Sequence, residues 1–124
     1  MMSERELDCS VAQQIFGHQV FEKNRALYEK TQNGDRPLRF YTKDMAAAWE
    51  VAEKLGISLI PIEIGMWYAL VGTNNGWHSP REFIERLQTD PSTDAGAAVA
   101  LTAPLVICLA AMKSIESRRT AIAI

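Results

Sequence analysis

FYTKDMAAAWEVAEKLG, residues 40–56, carries the start signal, the apolar stripe and the stop signal of one complete helix. The Thr42 hydroxyl can cap the N-terminus, and the Asp44 carboxylate lies near the positive end of the helix dipole. Gly56 readily adopts the left-handed conformation in which many helices end. The sequence therefore predicts a helix that is followed, almost without a loop, by a strand beginning at Ile57.

The apolar stripe of this helix predicts which side is buried. Its members recur at three- and four-residue spacing; they are Met45, Ala48, Trp49, Ala52 and Leu55. Burial of the large Trp49 ring predicts that Trp49→Ala is the most damaging single substitution, at about 3–5 kcal/mol. A second interpretation makes the ring a stacking platform for a base or a sugar, but helical spacing favours the core.

Two apolar strands follow the helix. In the first, Ile57 to Ile64, the apolar positions change parity near Pro61, which cannot donate to a ladder, so a β-bulge is predicted there. Gly65 permits a tight reversal into a second strand, Met66 to Val71. An antiparallel hairpin combined with helices predicts an α+β fold, and the length of the chain predicts one domain, residues 1–124.

Three further helices are predicted from their caps and their apolar spacing. Ser3 and Glu6 form a capping box before the first helix. Ser79–Leu87 is a short second helix, and the last runs from Thr102 or Ala103 to Ser117 with Pro104 in its first turn. The tail, residues 119–124, is expected to be frayed or packed on a neighbouring molecule.

The uncharged run from Ala95 to Met112 has two interpretations. Its length just reaches that of a membrane-spanning helix. Its many Ala and Gly residues, together with Thr102 and Pro104, favour a buried helix with its lead-in. The preferred interpretation therefore gives the chain no membrane partner.

Residues 18–41 give the weakest pattern. Phe21 and the run Ala26 to Tyr28 suggest a short irregular helix, and Asn33 to Asp35 is a strong turn signal. Between His18 and Lys43 lie six basic and three acidic residues, whereas the whole chain has a formal charge of −2. This segment is either a solvated loop or an anion-binding edge built on two arginines, Arg36 and Arg39.

The bulk composition excludes some functions. A charge of −2 is unlike the basic field of a nucleic-acid binder, so no nucleic-acid polymer is expected as a partner. The two cysteines, Cys9 and Cys108, fall at apolar helix positions and are predicted to be free, buried thiols. Free thiols and the absence of a secretory signal at the N-terminus predict a cytoplasmic location.

Three stretches together resemble the phage ABA sandwich domain family of small phage and prophage proteins. They are LDCSVA with FG (residues 7–12 and 16–17), YTKD through AAAWEVAEKL (41–55) and TAPLVICLAA (102–111). The resemblance implies an α-β-α sandwich, a small, mostly antiparallel sheet packed between helices. It also implies a phage or prophage origin and action in the cytoplasm of the bacterial host, and it brings no catalytic residues.

No catalytic, metal or cofactor site is predicted. Neither cysteine begins a helix, and with His18 and His78 the cysteines lack the close spacing of a zinc site. The glycine-rich loop, residues 72–76, lacks the lysine of a phosphate-binding P-loop.

A small anionic ligand is the remaining candidate. Its predicted contacts are Arg36, Arg39, Tyr41, Asn74, Trp77 and His78. The preferred hypothesis is a non-enzymatic phage accessory protein that acts by binding or self-assembly, as a homo-oligomer. One alternative is a sponge that sequesters a nucleotide signal of host immunity; a small hydrolase is the third.

Overall fold

The computed structural model describes residues 3–63, 65–72, 79–88 and 96–123, and it confirms the predicted α+β fold. The helices are α1 Glu4–Gln14, α2 Met45–Leu55, α3 Pro80–Leu87 and α4 Ala103–Ala123. The strands are β1 Gln19–Lys23, β2 Ala26–Thr31, β3 Gly34–Pro37, β4 Ile57–Glu63, β5 Met66–Val71 and β6 Ala97–Ala100. They form two antiparallel sheets of three strands, β1-β2-β3 and β4-β5-β6.

The first sheet corrects the prediction for residues 18–41. A meander replaces the short irregular helix expected around Phe21 and residues 26–28. Asn24 and Arg25 both adopt positive φ, at 52° and 65°, and connect β1 to β2. The predicted turn at Asn33 is confirmed, since it connects β2 to β3, where the Thr31 hydroxyl donates to the Gly34 carbonyl at 2.8 Å. This meander carries part of the candidate site.

The second sheet confirms the predicted hairpin. β4 and β5 are antiparallel, the register shifts between Pro61 and Glu63, and Gly65 has a left-handed φ of 78°. The third strand, β6, is a correction, because residues 97–100 were expected to lead into a buried helix.

Helix α4 is the centre of the core. It packs against α1, α2 and all three strands of the second sheet. Its buried apolar residues lie on several faces: Val106, Ile107, Cys108, Ala110, Ala111 and Met112. Thr102 caps it, as predicted, by accepting from the Leu105 amide at 3.3 Å. The helix continues to Ala123, beyond the expected end at Ser117, and the side chains of residues 117–124 lie outside the described part.

Helix α2 confirms its predicted end and the burial of Ala48 and Ala52, and it corrects its start and the predicted burial of Met45 and Trp49. Gly56 is the left-handed C-cap. Asp44, not Thr42, is the N-cap, because the Asp44 side chain accepts from the Ala46 amide while the Thr42 amide donates to Asp8. The Trp49 side chain is 47% exposed, so its predicted burial was wrong. The buried face consists of the smaller residues Ala47, Ala48, Val51 and Ala52, which allow close approach to α4.

Within the described ranges, no helix combines the length and the apolar character needed to cross a membrane. The run from Ala95 to Met112 is instead divided, where it is described, between β6 and the first half of α4.

Enlarging a side chain between α2 and α4 is expected to destabilise the protein. Ala48 is fully buried there, so Ala48→Leu should overpack the interface and cost about 1–3 kcal/mol. Urea unfolding measures this cost. Ala46→Leu is the matched control, because Ala46 lies on the exposed side of the same helix. Equal effects of the two substitutions would contradict the assignment of the buried face.

Candidate functional site

A fully buried carboxylate, Glu29 on β2, is the centre of the candidate site. The Tyr41 hydroxyl lies 3.0 and 2.9 Å from its two oxygens. The Nε of Arg36 donates to Oε1 at 2.8 Å, and Nδ1 of His18 lies 3.2 Å from Oε2. Three side chains from separate parts of the chain therefore meet on one carboxylate.

The first sheet brings these partners together. Arg36 lies directly opposite Glu29 in the β2–β3 register. His18 immediately precedes β1, where Gly17 turns the chain with a left-handed φ of 70° and the His18 amide donates to the Ala12 carbonyl at 2.9 Å. Tyr41 lies in the connection from β3 to α2, and its ring stacks on Phe16 at a centroid distance of 5.6 Å. Backbone turns and strand register thus fix the positions of all three groups.

The hydrogen bonds keep the buried carboxylate ionised. Burial by itself raises the pKa of Glu29, but the hydrogen bonds from His18, Arg36 and Tyr41 and the charge of Arg36 outweigh it, so the pKa is lowered. Burial and the neighbouring Glu29 charge raise the pKa of Tyr41, whose phenol therefore stays protonated. For Arg36, burial lowers the pKa, but the Glu29 hydrogen bond more than compensates and raises it.

A cleft of about 560 Å³ lies beside this cluster. Its walls include Phe16, His18, Lys30, Arg36, Arg39 and Glu50. Its lining residues therefore include two arginines and a lysine against one carboxylate, and Glu29, which pairs with Arg36, is a second negative charge. Arg39 pairs with Glu50, and its guanidinium lies 5.8 Å from the centre of the Tyr41 ring. Among the residues that line the cleft, counted together with Glu29, the positive charges outnumber the negative ones.

The predicted ligand contacts divide into three groups. Arg36 and Arg39 both line the cleft. Tyr41 is fully buried and contributes its hydroxyl to Glu29. Asn74, Trp77 and His78 lie outside the described residues.

Sequence reasoning missed five members of the site, one of them Phe16, which was assigned only to the apolar stripe of the first helix. Glu29, Lys30 and Glu50 were not assigned to it, and His18 was considered only as a partner of a cysteine. The available signal was that Leu27, Glu29 and Thr31 occupy alternate positions and would share one face of a strand. This spacing is informative only once the segment is known to be a strand.

A second buried carboxylate, Asp8 on α1, fixes the segment that carries Arg39 and Tyr41. Its Oδ1 accepts from the Thr42 amide at 2.8 Å, and its Oδ2 accepts from Arg5 at 2.8 Å. Arg5 also donates to the carbonyls of Leu38 and Arg39, at 3.0 and 3.1 Å. Helix α1 therefore holds the connection between β3 and α2 in place.

Both cysteines are free thiols. Cys108 is fully buried, as predicted, whereas Cys9 is partly buried. Burial and the neighbouring Asp8 charge raise the pKa of Cys108 to about 12, and burial raises the pKa of Cys9. Both thiols are therefore poor nucleophiles at neutral pH.

In the part of the chain that the structure describes, no three His, Cys, Asp or Glu side chains are grouped to hold a metal ion.

No protein-family model, curated protein or solved structure matches this chain. Membership of the phage ABA sandwich family stays a prediction that rests on the three stretches quoted above.

Lowering the pH is expected to remove the contribution of Glu29 to stability. Its pKa is lower in the folded chain than the ordinary value of 4.5. Between these two pKa values the unfolded chain therefore binds more protons than the folded chain. The contribution of Glu29 to stability is complete above the ordinary pKa and declines as the pH falls through the pKa of the folded chain. Urea unfolding of the wild type and Glu29→Gln should show a difference in unfolding free energy that narrows below about pH 4.5. A difference that stays constant with pH would contradict this assignment.

Proposed function

We propose that this protein binds a small anionic ligand in the cleft, with Arg36 and Arg39 as the groups that hold the anion. The observation that supports the proposal is that a carboxylate orients each guanidinium beside one concave surface: Glu29 for Arg36 and Glu50 for Arg39. A phage accessory role remains part of this proposal, as the resemblance implies.

The pairing with Glu29 orients Arg36 without using all of its donors. Glu29 accepts from Nε, and an arginine side chain has five N–H donors in a fixed planar arrangement. The Arg36 side chain is 41% exposed, which leaves part of it accessible from the cleft. An oriented guanidinium loses less conformational entropy when it binds phosphate or carboxylate than a free side chain would.

The size and aromatic lining of the cleft favour a nucleotide-type ligand over a simple ion. Its volume of about 560 Å³ is within the range of small-molecule sites. The Phe16 and His18 rings in its wall stack on each other at 5.7 Å with an interplanar angle of 25°. Flat rings beside cations suit a base or sugar attached to a phosphate. This observation supports the sponge for a nucleotide immune signal as the second candidate function.

Ligand-induced stabilisation tests the proposal. Thermal unfolding is measured with pyrophosphate, AMP, ADP-ribose and cyclic dinucleotides. A ligand at a hundred times its Kd should stabilise the fold by about 2.7 kcal/mol. Arg36→Gln should weaken the binding of that ligand about tenfold or more, because it removes a charge-assisted contact.

Arg25→Gln is the matched control, since Arg25 is an exposed arginine in the β1–β2 turn of the same sheet. A control variant that loses as much affinity as Arg36→Gln would show that only the overall charge matters. Absence of any shift at millimolar concentration across the panel would overturn the proposal.

A further inference from the structure

The contact between His18 and Glu29 is not needed for anion binding alone. Nδ1 of His18 lies 3.2 Å from Oε2 of a carboxylate that is fully buried. The same imidazole is 20% exposed and lines the cleft. A carboxylate at Nδ1 fixes the ring orientation and favours the tautomer that carries its proton on Nδ1. That tautomer leaves Nε2 as a proton acceptor for a molecule in the cleft.

We propose that His18 is the general base of a phosphodiester hydrolase whose substrate is held in this cleft, with Glu29 as the positioning residue. The inference rests on the proposed anion site and adds a reaction to it. Its geometric basis is one carboxylate that orients both the imidazole and the guanidinium of Arg36. The phosphate bound by Arg36 would thus lie beside the base.

The reaction is an ordinary hydrolysis. Nε2 of His18 takes a proton from a water molecule while the water oxygen forms a bond to phosphorus. The bond from phosphorus to the leaving oxygen breaks on the opposite side, that oxygen takes its proton from solvent water, and the imidazolium returns its proton to solvent. The products are a phosphomonoester and an alcohol, and no oxidant or reductant takes part.

The charged groups around the cleft suit this step. The imidazolium that forms is stabilised by the ionised Glu29, as in other carboxylate–histidine pairs. Arg36 and Arg39 line the cleft and can stabilise the negative charge that develops on the phosphoryl oxygens. Glu50 is held by Arg39, which limits its repulsion of the substrate.

The experiment uses the full-length chain and two probes, bis(p-nitrophenyl) phosphate and cyclic AMP. Release of p-nitrophenolate is followed by absorbance, and cyclic AMP is followed by phosphorus NMR. Pyrophosphate binding is measured on every variant by calorimetry. His18→Asn is the main substitution, because its amide nitrogen can replace Nδ1 as donor to Glu29 while no Nε2 remains.

The expected result is turnover of at least one probe, with kcat lowered about a hundredfold or more in His18→Asn. Pyrophosphate affinity should stay within about threefold, since the binding groups are unchanged. Long-range proton–nitrogen NMR should show the Nδ1–H tautomer in the wild type and a mixture in Glu29→Gln. Glu22→Gln, an exposed position on β1, is the control and should leave turnover unchanged.

The outcomes separate the two proposals. Pyrophosphate binding without turnover of either probe would overturn the hydrolase and leave the anion site standing. Equal turnover by the wild type and His18→Asn would also overturn the role of His18. Failure to bind pyrophosphate or either probe would overturn the hydrolase, and absence of binding across the wider nucleotide panel would overturn the anion site as well.

Discussion

Glu29→Ala is expected to destabilise the protein by about 4 kcal/mol, because it removes one partner of a buried charged network. The Tyr41 hydroxyl, which is fully buried, would lose its acceptor, and the Arg36 and His18 side chains would lose the carboxylate that orients them. A cavity would also remain beneath the first sheet. Urea unfolding at neutral pH measures the loss of unfolding free energy.

Two further variants show which part of the network is responsible. Glu22→Ala removes a glutamate from an exposed position on the adjacent strand, and it should change stability by less than about 0.5 kcal/mol. Tyr41→Phe removes only the phenol donor and should cost about 1–2 kcal/mol. If Glu29→Ala costs no more than Glu22→Ala, the buried carboxylate does not hold this network together.

Local signals in the sequence predicted α1, α2, α3 and α4, whereas the short helix expected within residues 18–41 was wrong. The capping box of Ser3 and Glu6, the C-cap at Gly56 and the cap at Thr102 each act within one turn of helix, so neighbouring residues are enough to identify them. The start of α2 was misassigned because Thr42 and Asp44 are both good caps. In the structure the Asp44 side chain is the one that accepts from a helix amide, that of Ala46.

Burial in α2 depends on its neighbour more than on residue size. The stripe that contains Trp49 and the stripe that contains Ala47 both satisfy helical spacing. Helix α4 packs closely against α2, and small side chains allow two helix backbones to approach. The position of α4 cannot be read from residues 40–56. The sequence of this helix therefore does not show that its buried face includes Ala47 and excludes Trp49.

The missed strands have weak local patterns. In β2 a buried glutamate occupies a core-facing position, which disrupts the apolar alternation that identifies strands. The β1–β2 turn uses Asn24 and Arg25 at positive φ in place of glycine. In β6 three of four residues are alanine, a poor strand former, and pairing with β5 overrides this preference.

The candidate site could be predicted only in part, mainly through its arginines. Arg36 and Arg39 were found because a local excess of basic residues is visible in the sequence. Glu29 was counted there as one of the acids that offset this excess. Its role follows from strand register and burial, which no count of charges reveals.

Asp8→Ala is expected to cost about 3 kcal/mol, since it leaves the buried Thr42 amide and the Arg5 guanidinium without their acceptor. The effect should be smaller than that of Glu29→Ala, because the Arg5 side chain is 34% exposed and keeps the carbonyls of Leu38 and Arg39 as acceptors. Urea unfolding measures the loss.

Asp8→Ala should also weaken ligand binding, although Asp8 does not line the cleft. It holds the connection that places Arg39 and Tyr41, so its loss should raise the Kd for the anion by about tenfold. Asp35→Ala is the control: Asp35 is an exposed carboxylate on β3, closer in sequence to Arg36 than Asp8 is. Unchanged affinity in a folded Asp8→Ala variant would mean that β3 and α2 position the arginines without help from α1.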